Sequence, residues 1–218
     1  LLAAITTGYS YDMGCFGAWA AKMAQSGPAA FYSEGYFADY PPGYLYVLGA
    51  VGAVQKIFEL DFDGAAFKML LALVPAVCDC AAAWLVAQLG QRCLPDGRGV
   101  LCLTAFAALH PAALFDTAVW KQIDGAFTLP ILLCFLLLET KNYLPAAIFY
   151  GIALSIKPQA LLFGPVLAAC FLAGIVLERD RLRAFGRCFA GAALAVLPVL
   201  AAGLPFFGLR GLLPGLLD

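Results

Sequence analysis

Lys157 and its neighbours form one of four short polar clusters that interrupt an apolar chain and could do chemistry. The lysine lies in the stretch Ser-Ile-Lys-Pro-Gln, which ends at Gln159, and no charged residue stands next to it. A lysine between two apolar segments is costly unless it faces water or an anion, and its compact ammonium suits a phosphate oxygen. The alternative is an ordinary tight turn whose lysine side chain extends to the membrane surface.

The cluster from 115 to 125 joins two apolar runs and combines carboxylates, a lysine, a glutamine and an indole. Its candidate site residues are Asp116, Trp120, Lys121, Gln122 and Asp124. A plain connecting loop needs no such density of polar groups, so we expect a binding role here, with a solvated loop as the alternative. Asp116 and Asp124 could hold a divalent ion, although nothing in the sequence requires one.

Asp12 precedes an amphipathic pattern over about residues 13–25. Phe16, Trp19 and Met23 recur on one helical face of that stretch, and such a helix can lie on a membrane surface with its aromatic rings toward the lipid. Asp12 would then stand near the helix N-terminus, where a carboxylate caps well. A helix cap and a functional carboxylate are both open for this residue.

Asp39 and Tyr40 stand directly before Pro41 and Pro42. The two prolines forbid a helix before them and pre-organise the first turn of a helix after them. Asp39 would cap that helix or coordinate a ligand, and the local sequence does not separate these two roles.

The composition that surrounds these clusters is that of a membrane protein. Of 218 residues, 63% are hydrophobic and 12% are charged, and the mean hydropathy is +0.89; soluble domains have roughly 25% charged residues. This excludes a cytosolic globular enzyme, a disordered chain and a nucleic-acid-binding protein. We predict an all-α, multi-pass transmembrane helix bundle. The eight cysteines fall mostly in apolar runs, which predicts packing residues rather than disulfides or a zinc site.

Seven apolar runs are candidate helices, and the arginines orient them. The runs are 43–58, 67–90, 99–115, 126–138, 144–156, 159–177 and 188–207. The arginine-rich loop 178–187 is cytoplasmic by the positive-inside rule, which places 116–125 and Lys157 outside. Asp12 and Asp39 lie on that outer side only if 43–58 rests at the membrane surface instead of crossing, and we expect this arrangement.

The predicted topology divides the chain into three parts. Residues 1–66 form a first extracytoplasmic loop with interfacial helices, 67–207 form a bundle of about six spans, and 208–218 begin a further extracytoplasmic loop that is cut short. We expect the chain to be an internal piece of a longer membrane protein. Inside the predicted spans, Asp79 is expected to be functional or paired, and His110 to be a packing residue.

Taken together and in this order, the clusters resemble the GT-C superfamily of membrane glycosyltransferases, and they are similar to bacterial proteins related to the GPI mannosyltransferases. The matching stretches lie within residues 8–177 and are Asp12 in YSYDMGCFGAW, Asp39-Tyr40-Pro41-Pro42, Trp120-Lys121-Gln122-Ile123-Asp124 and Lys157-Pro158-Gln159. The resemblance implies a helical enzyme of the bacterial plasma membrane with extracytoplasmic juxtamembrane helices. It implies a polyprenyl-phosphate-hexose donor, with mannose as the expected sugar, and a glycan, lipid or protein acceptor.

The resemblance also implies roles for individual residues. Asp12 would be the general base that takes the proton of an acceptor hydroxyl, and the sugar would be transferred in one displacement with inversion. Lys157, with Lys121, would stabilise the charge on the leaving lipid phosphate. The expected substrate-binding residues are Asp39, Tyr40, Trp120, Lys121, Gln122, Asp124, Lys157 and Gln159.

Two other classes of function stay open on sequence alone. A transporter or lipid flippase would also show broken helices and polar residues such as Asp79 and His110 inside the membrane, although the chain has no evident inverted repeat. A non-catalytic membrane scaffold would leave the polar residues at 120–124 and Lys157 without a role.

Overall fold

In the part of the chain that the structure describes, all regular structure is helical. The computed structural model describes residues 2–177 and 180–212, and no β-strand occurs in those two ranges, which confirms the all-α prediction. The helices are α1 (Leu2–Thr6), α2 (Ser10–Ser26), α3 (Pro42–Phe58), α4 (Ala65–Cys93), α5 (Gly97–Ala108), α6 (Pro111–Phe115), α7 (Asp124–Glu139), α8 (Tyr143–Ile156), α9 (Gly164–Leu177) and α10 (Arg181–Leu212). Short 3-10 turns cover Pro28–Ala30 and Pro158–Phe163, and Asp116–Trp120 is a π-helical turn.

Among residues 2–177 and 180–212, three stretches are long and apolar enough to cross a membrane. They are Ala65–Cys93, Gly97–Trp120 and Arg181–Gly208. The second runs through α5, α6 and the π-helical turn. Helices of this length and composition would expose far too much apolar surface in water, so the protein is a membrane protein.

Each predicted apolar run is helical, but the run 99–115 is interrupted at Leu109 and His110 between α5 and α6, and the run 159–177 begins with a 3-10 turn. One predicted loop is also too long. Residues 181–187 of the arginine-rich loop 178–187 belong to the first turns of α10. The side chain of Asp180 explains the early start, because its Oδ1 accepts a hydrogen bond of 3.0 Å from the backbone N–H of Arg183 and so caps the helix. Arg179 lies outside the described residues.

The chain divides into two compact units. The first comprises Leu1–Asp39 and Leu45–Leu129, and the second comprises Tyr40–Tyr44 and Pro130–Asp218. The predicted boundaries at 66 and 207 stay a prediction, and residues 213–218 of the predicted last segment lie outside the described residues.

In the first unit, α2 turns its apolar face toward protein and not toward lipid. Phe16, Trp19 and Met23 are only 2%, 3% and 8% exposed. The backbone of α2 at Ala20 lies so close to α3 that a Cβ at Gly52 would collide with the Ala20 carbonyl. The prediction that these three side chains contact the membrane is therefore wrong: Met23 lies against Gly49 of α3, and Trp19 contacts Phe16 and donates its Nε1–H to the carbonyl of Phe37.

In the second unit, the main packing is between α8 and α10. A Cβ at Gly151 of α8 would collide with the backbone carbonyl of Ala195 in α10, so glycine is what allows the helices to approach. At the other end of α8, the ring of Tyr143 contacts Phe171 at 5.5 Å between centroids and the guanidinium of Arg187 at 5.8 Å. These contacts hold the helix that ends directly before Lys157.

All eight cysteines are free thiols. That they form no disulfide framework stays a prediction. Cys134, which is buried in α7, is the clearest example of a cysteine that serves as a small apolar side chain.

Candidate functional site

Asp12 is the centre of the best-formed polar cluster in the first unit. Its Oδ2 accepts two hydrogen bonds of 2.6 Å, one from the indole Nε1 of Trp120 and one from the side-chain Nε2 of Gln122. Its Oδ1 accepts none from the part of the chain that the structure describes. Two of the predicted clusters therefore meet here, and one carboxylate oxygen is left for an outside partner.

Asp12 lies in the first turn of α2, and Trp120 and Gln122 lie at the end of a long apolar stretch. The π-helical turn Asp116–Trp120 stops at Lys121, which has the left-handed backbone conformation with φ of 70°. The carbonyl of Asp116 accepts the backbone N–H of both Lys121 and Gln122, the second at 3.0 Å. Residues 121–123 connect this turn to α7, and the side chains of Trp120 and Gln122 on either side of Lys121 both donate to Asp12.

Lys121 is buried, with 1% of its surface exposed. Its ammonium donates a hydrogen bond to the carbonyl of Ala118 within the same turn. Burial, together with the nearby charge of Lys68, lowers the pKa of Lys121 from its ordinary value near 10.5 to about 8. In this structure Lys121 holds the turn, and its predicted contact with a substrate stays a prediction.

A cleft of about 600 Å³ opens beside Trp120. The residues that line it include Thr7, Tyr9, Lys68, Phe115 and Trp120, and none of the lining residues is acidic. The rings of Tyr9 and Phe115 meet the indole edge-on, at 6.0 and 6.4 Å between centroids. The indole whose Nε1 holds Asp12 is thus also part of an apolar wall.

A second cleft of about 440 Å³ follows the outer face of α2 and is lined by Ser10, Tyr11 and Cys15, among others. Burial raises the pKa of the Cys15 thiol, and the charges of Asp12 and Asp39 raise it further. Asp12 and Asp39 are therefore close enough to the Cys15 thiol to disfavour its ionised form.

Beneath the π-helical turn, Asp79 of α4 is paired, as the sequence predicted. Its Oδ2 accepts a hydrogen bond of 2.6 Å from the hydroxyl of Thr117. The first turn of α7 lies against the same carboxylate, because a Cβ at Gly125 would collide with Asp79 and with the Pro75 carbonyl. Asp79 therefore anchors the turn that carries Trp120 and Gln122. His110, in contrast, packs against the ring of Phe106 at 5.1 Å.

In the second unit the structure brings together the other two predicted clusters. Lys157 has an extended backbone, as the residue before a proline must, and this ends α8. Its Nζ lies 5.8 Å from the centroid of the Tyr40 ring, and the lysine is only 9% exposed. A Cβ at Gly43 would collide with the backbone of Ser155, so the two segments are in close contact.

The remaining predicted residues are less enclosed. Asp39 and Gln159 are exposed, and Asp116 and Asp124 are half-buried. Within residues 2–177 and 180–212, no group of three or more histidine, cysteine, aspartate or glutamate side chains is arranged to hold a metal ion. The predicted role of Asp116 and Asp124 toward a divalent ion stays a prediction.

The sequence reasoning missed Lys68 and Thr117. Lys68 is an isolated lysine in the first turn of a long apolar helix, so the rule that singled out Lys157 would also have found it. Thr117 is ordinary in sequence, and only its contact with Asp79 reveals its role.

Comparison with known proteins adds one family. The model of GT87, glycosyltransferase family 87, matches residues 37–213, which is most of the chain. The match includes Asp39, Lys68, 120–124 and Lys157, whereas Asp12 precedes it. No curated protein and no solved structure matches the chain. The glycosyltransferase resemblance is confirmed by the family match, and the relation to the GPI mannosyltransferases stays a prediction.

Proposed function

The chain belongs to glycosyltransferase family 87, and from this premise we propose that it transfers a hexose from a polyprenyl-phosphate sugar to an acceptor hydroxyl. That it is a membrane glycosyltransferase follows from the family and from its three long apolar helices. The lipid-linked donor, the GT-C type and mannose as the sugar are parts of the proposal. The family match favours a transferase over the transporter, flippase and scaffold alternatives.

We propose Asp12 as the general base. The observation that supports this role is the pair of hydrogen bonds from Trp120 and Gln122 to Oδ2, which fixes the carboxylate and leaves Oδ1 to accept a proton. The acceptor hydroxyl transfers its proton to Asp12 while its oxygen bonds to C1 of the sugar. The bond from C1 to the phosphate oxygen breaks on the opposite face, and polyprenyl phosphate leaves with that electron pair. One displacement of this kind inverts the anomeric centre.

The other site residues take supporting roles in the proposal. Lys157 stabilises charge on the leaving phosphate, helped by Lys121. Asp39, Gln122 and Asp124 orient hydroxyls of the sugar or of the acceptor, and Tyr40 and Gln159 complete the binding surface around Lys157. The sugar–phosphate bond of the donor already stores the energy that the transfer needs, so no nucleotide is required in the reaction.

The proposed setting is the outer face of a bacterial plasma membrane. In this proposal the chain crosses the membrane about six times with the arginines inside and α3 at the surface, so that Asp12 and residues 121–123 face the extracytoplasmic space. Polyprenyl-phosphate sugars can be used there because their lipid keeps them in the membrane. A glycan, lipid or protein on that side is the acceptor.

The test is sugar transfer by membranes that contain the protein. Radiolabelled polyprenyl-phosphate-mannose and polyprenyl-phosphate-glucose are supplied in parallel, and incorporation into acceptor is measured for the wild type, Asp12→Asn and Asp63→Asn. We expect transfer from mannose donor by the wild type. Asp12→Asn should lose at least about a hundredfold in rate, because an amide cannot take the proton.

Asp63→Asn is the matched control, since it makes the same chemical change at an exposed carboxylate, and it should keep wild-type activity. Equal amounts of each variant in the membrane are checked by immunoblot. Full turnover by Asp12→Asn would remove Asp12 as the base, and transfer from neither donor would reject the proposed donor class.

A further inference from the structure

The cleft beside Trp120 contains a cation to which the proposed mechanism gives no role. Lys68, in the first turn of α4, is half-buried and lines this cleft of about 600 Å³. It makes no salt bridge or side-chain hydrogen bond with the part of the chain that the structure describes. A half-buried ammonium without a partner carries a desolvation cost that an anionic ligand would offset.

A second lysine strengthens the positive potential at the same place. Lys121 is buried in the turn that ends at the cleft, and the charge of Lys68 is close enough to contribute to lowering the pKa of Lys121. No lining residue of the cleft is acidic. Lys68 is therefore a cation in a cleft wall that contains no carboxylate, which favours an anionic ligand.

The remaining wall of the cleft is apolar and aromatic. Tyr9, Phe115 and Trp120 supply rings, and Thr7 lies beside them. A small hydrated anion gains nothing from such a wall, whereas an anion attached to a hydrocarbon chain buries apolar surface against it. The position of Lys68 in the first turn of a membrane-crossing helix suits a ligand whose charged group lies at the membrane surface.

We propose that Lys68 binds the phosphate of a polyprenyl phosphate, with the first isoprene units of the lipid against Phe115 and Trp120. This assignment rests on the proposed function and adds a phosphate-binding residue to it. Trp120 lines this cleft and also donates its Nε1–H to Asp12, so one side chain borders the proposed phosphate site and holds the proposed base.

Binding of polyprenyl phosphate to the purified protein in detergent tests the assignment without depending on turnover. Radiolabelled polyprenyl phosphate is titrated onto the wild type, Lys68→Gln, Lys68→Met and Lys68→Arg. We expect Kd to rise about tenfold or more in the first two variants, because a hydrogen bond to a charged group is lost. Lys68→Arg should stay within about threefold, because it keeps a cation at the site.

Lys56→Gln is the matched control, because Lys56 is an exposed lysine at the end of α3 in the same unit, and it should bind like the wild type. Uncharged polyprenol of the same length should bind equally to all variants, since Lys68 has no phosphate to contact. Thermal unfolding and gel filtration verify the fold of each protein. If Lys68→Gln and Lys68→Met do not fold, the Kd of polyprenyl phosphate for the wild type is compared at low salt and in 0.5 M salt. A Kd that salt leaves unchanged would overturn the assignment, because salt weakens the attraction between an ammonium and a phosphate.

Three outcomes separate this inference from the proposed function. If the wild type does not bind polyprenyl phosphate, the proposed donor class fails. If the wild type binds it and Lys68→Gln binds it equally well, only the role of Lys68 fails. If millimolar inorganic phosphate displaces the lipid, and does so through Lys68, the site belongs to free phosphate and the lipid assignment is overturned.

Discussion

At the scale of single residues, the hydrogen bonds on Asp12 are the feature from which most of the chemistry follows. Trp120 and Gln122 donate to the same oxygen at 2.6 Å. Two donors on one carboxylate oxygen fix the plane of the carboxyl group and direct the other oxygen outward. A general base must be held in this way, because a small error in its position costs a large factor in rate.

Replacing Trp120 by phenylalanine should loosen the orientation of the Asp12 carboxylate while keeping an aromatic ring at position 120. We expect Trp120→Phe to lower kcat about tenfold, because a hydrogen bond to a charged group is worth about 1.5–3 kcal/mol. Gln122→Met should have an effect of the same order. The double variant should lose less than the product of the two single losses, because both donors serve one oxygen. Sugar-transfer kinetics measure all three, and strict multiplicativity would show that the two donors act independently.

Lys121 should make the stability of the protein depend on pH. Its pKa in the folded protein is about 8, below its ordinary value near 10.5, because burial and the charge of Lys68 disfavour the ammonium. The unfolded chain then holds a proton that the folded protein has lost, so the free energy of unfolding rises between pH 8 and 10.5. Thermal unfolding in detergent between these values measures the rise.

Lys121→Met should flatten that rise, and Lys56→Met, at an exposed lysine, should leave it unchanged. A rise that persists fully in Lys121→Met would assign the dependence to another group. The positive φ of Lys121, 70°, adds backbone strain that glycine would not have. The ammonium's hydrogen bond to Ala118 is the contact that retains a lysine there.

At the scale of helices, close approaches at glycine decide which surfaces meet. Gly52 lets α3 touch α2 at Ala20, and Gly151 lets α8 touch α10 at Ala195. Gly125 admits the carboxylate of Asp79 to the first turn of α7, under the turn that carries Trp120. The packing of α7 against α4 and the position of the turn that carries Trp120 therefore both depend on glycine at position 125.

Gly125→Ala should destabilise the protein and distort the site together. The new Cβ would collide with Asp79 and the Pro75 carbonyl, and overpacking of this kind costs about 1–3 kcal/mol. Gly186→Ala is the matched control, because it lies in α10 with no atom within 4 Å of the new Cβ. There we expect unchanged or slightly higher stability, since alanine favours a helix by up to ~1 kcal/mol. Thermal unfolding compares the two, and equal midpoints would contradict the close approach.

At the scale of the whole molecule, the sorting of charge along the chain predicts its orientation in the membrane. α4 has 29 residues, which at 1.5 Å each is about 44 Å and exceeds a hydrocarbon core of about 30 Å. An acidic segment, 59–63, precedes it, and the segment with Arg92 and Arg98 follows it. The positive-inside rule puts the second segment in the cytoplasm.

Cysteine labelling on both sides of α4 checks this orientation. In a background without the exposed Cys80, Cys93 and Cys102, Asp63→Cys should react with a membrane-impermeant maleimide in intact cells. Arg98→Cys should react only after the membrane is opened. The reverse pattern would invert the topology and place the start of α4, with Lys68, on the cytoplasmic side. Reaction of both in intact cells would show that α4 does not cross.

The amino-acid sequence alone determined the helical class, the membrane setting and the bounds of most helices to within a few residues. These depend on local composition and periodicity, which a reader of the chain can see. It also named Asp12, Trp120, Gln122 and Lys157 as candidates, because polar groups are rare in such a chain. The sequence alone could not decide whether these residues have functional roles or only cap helices and line solvated loops.

Only the tertiary structure decided which candidates meet. Asp12 and Trp120 are 108 residues apart in sequence, and no local sequence pattern predicts that their side chains form a hydrogen bond. The burial of the aromatic face of α2, the burial of the Lys121 side chain in its own turn and the position of Lys68 in a cleft were likewise decided by packing. Local sequence sets what a segment can form, whereas the contacts among distant segments depend on which surfaces fit together, and that is a property of the folded chain.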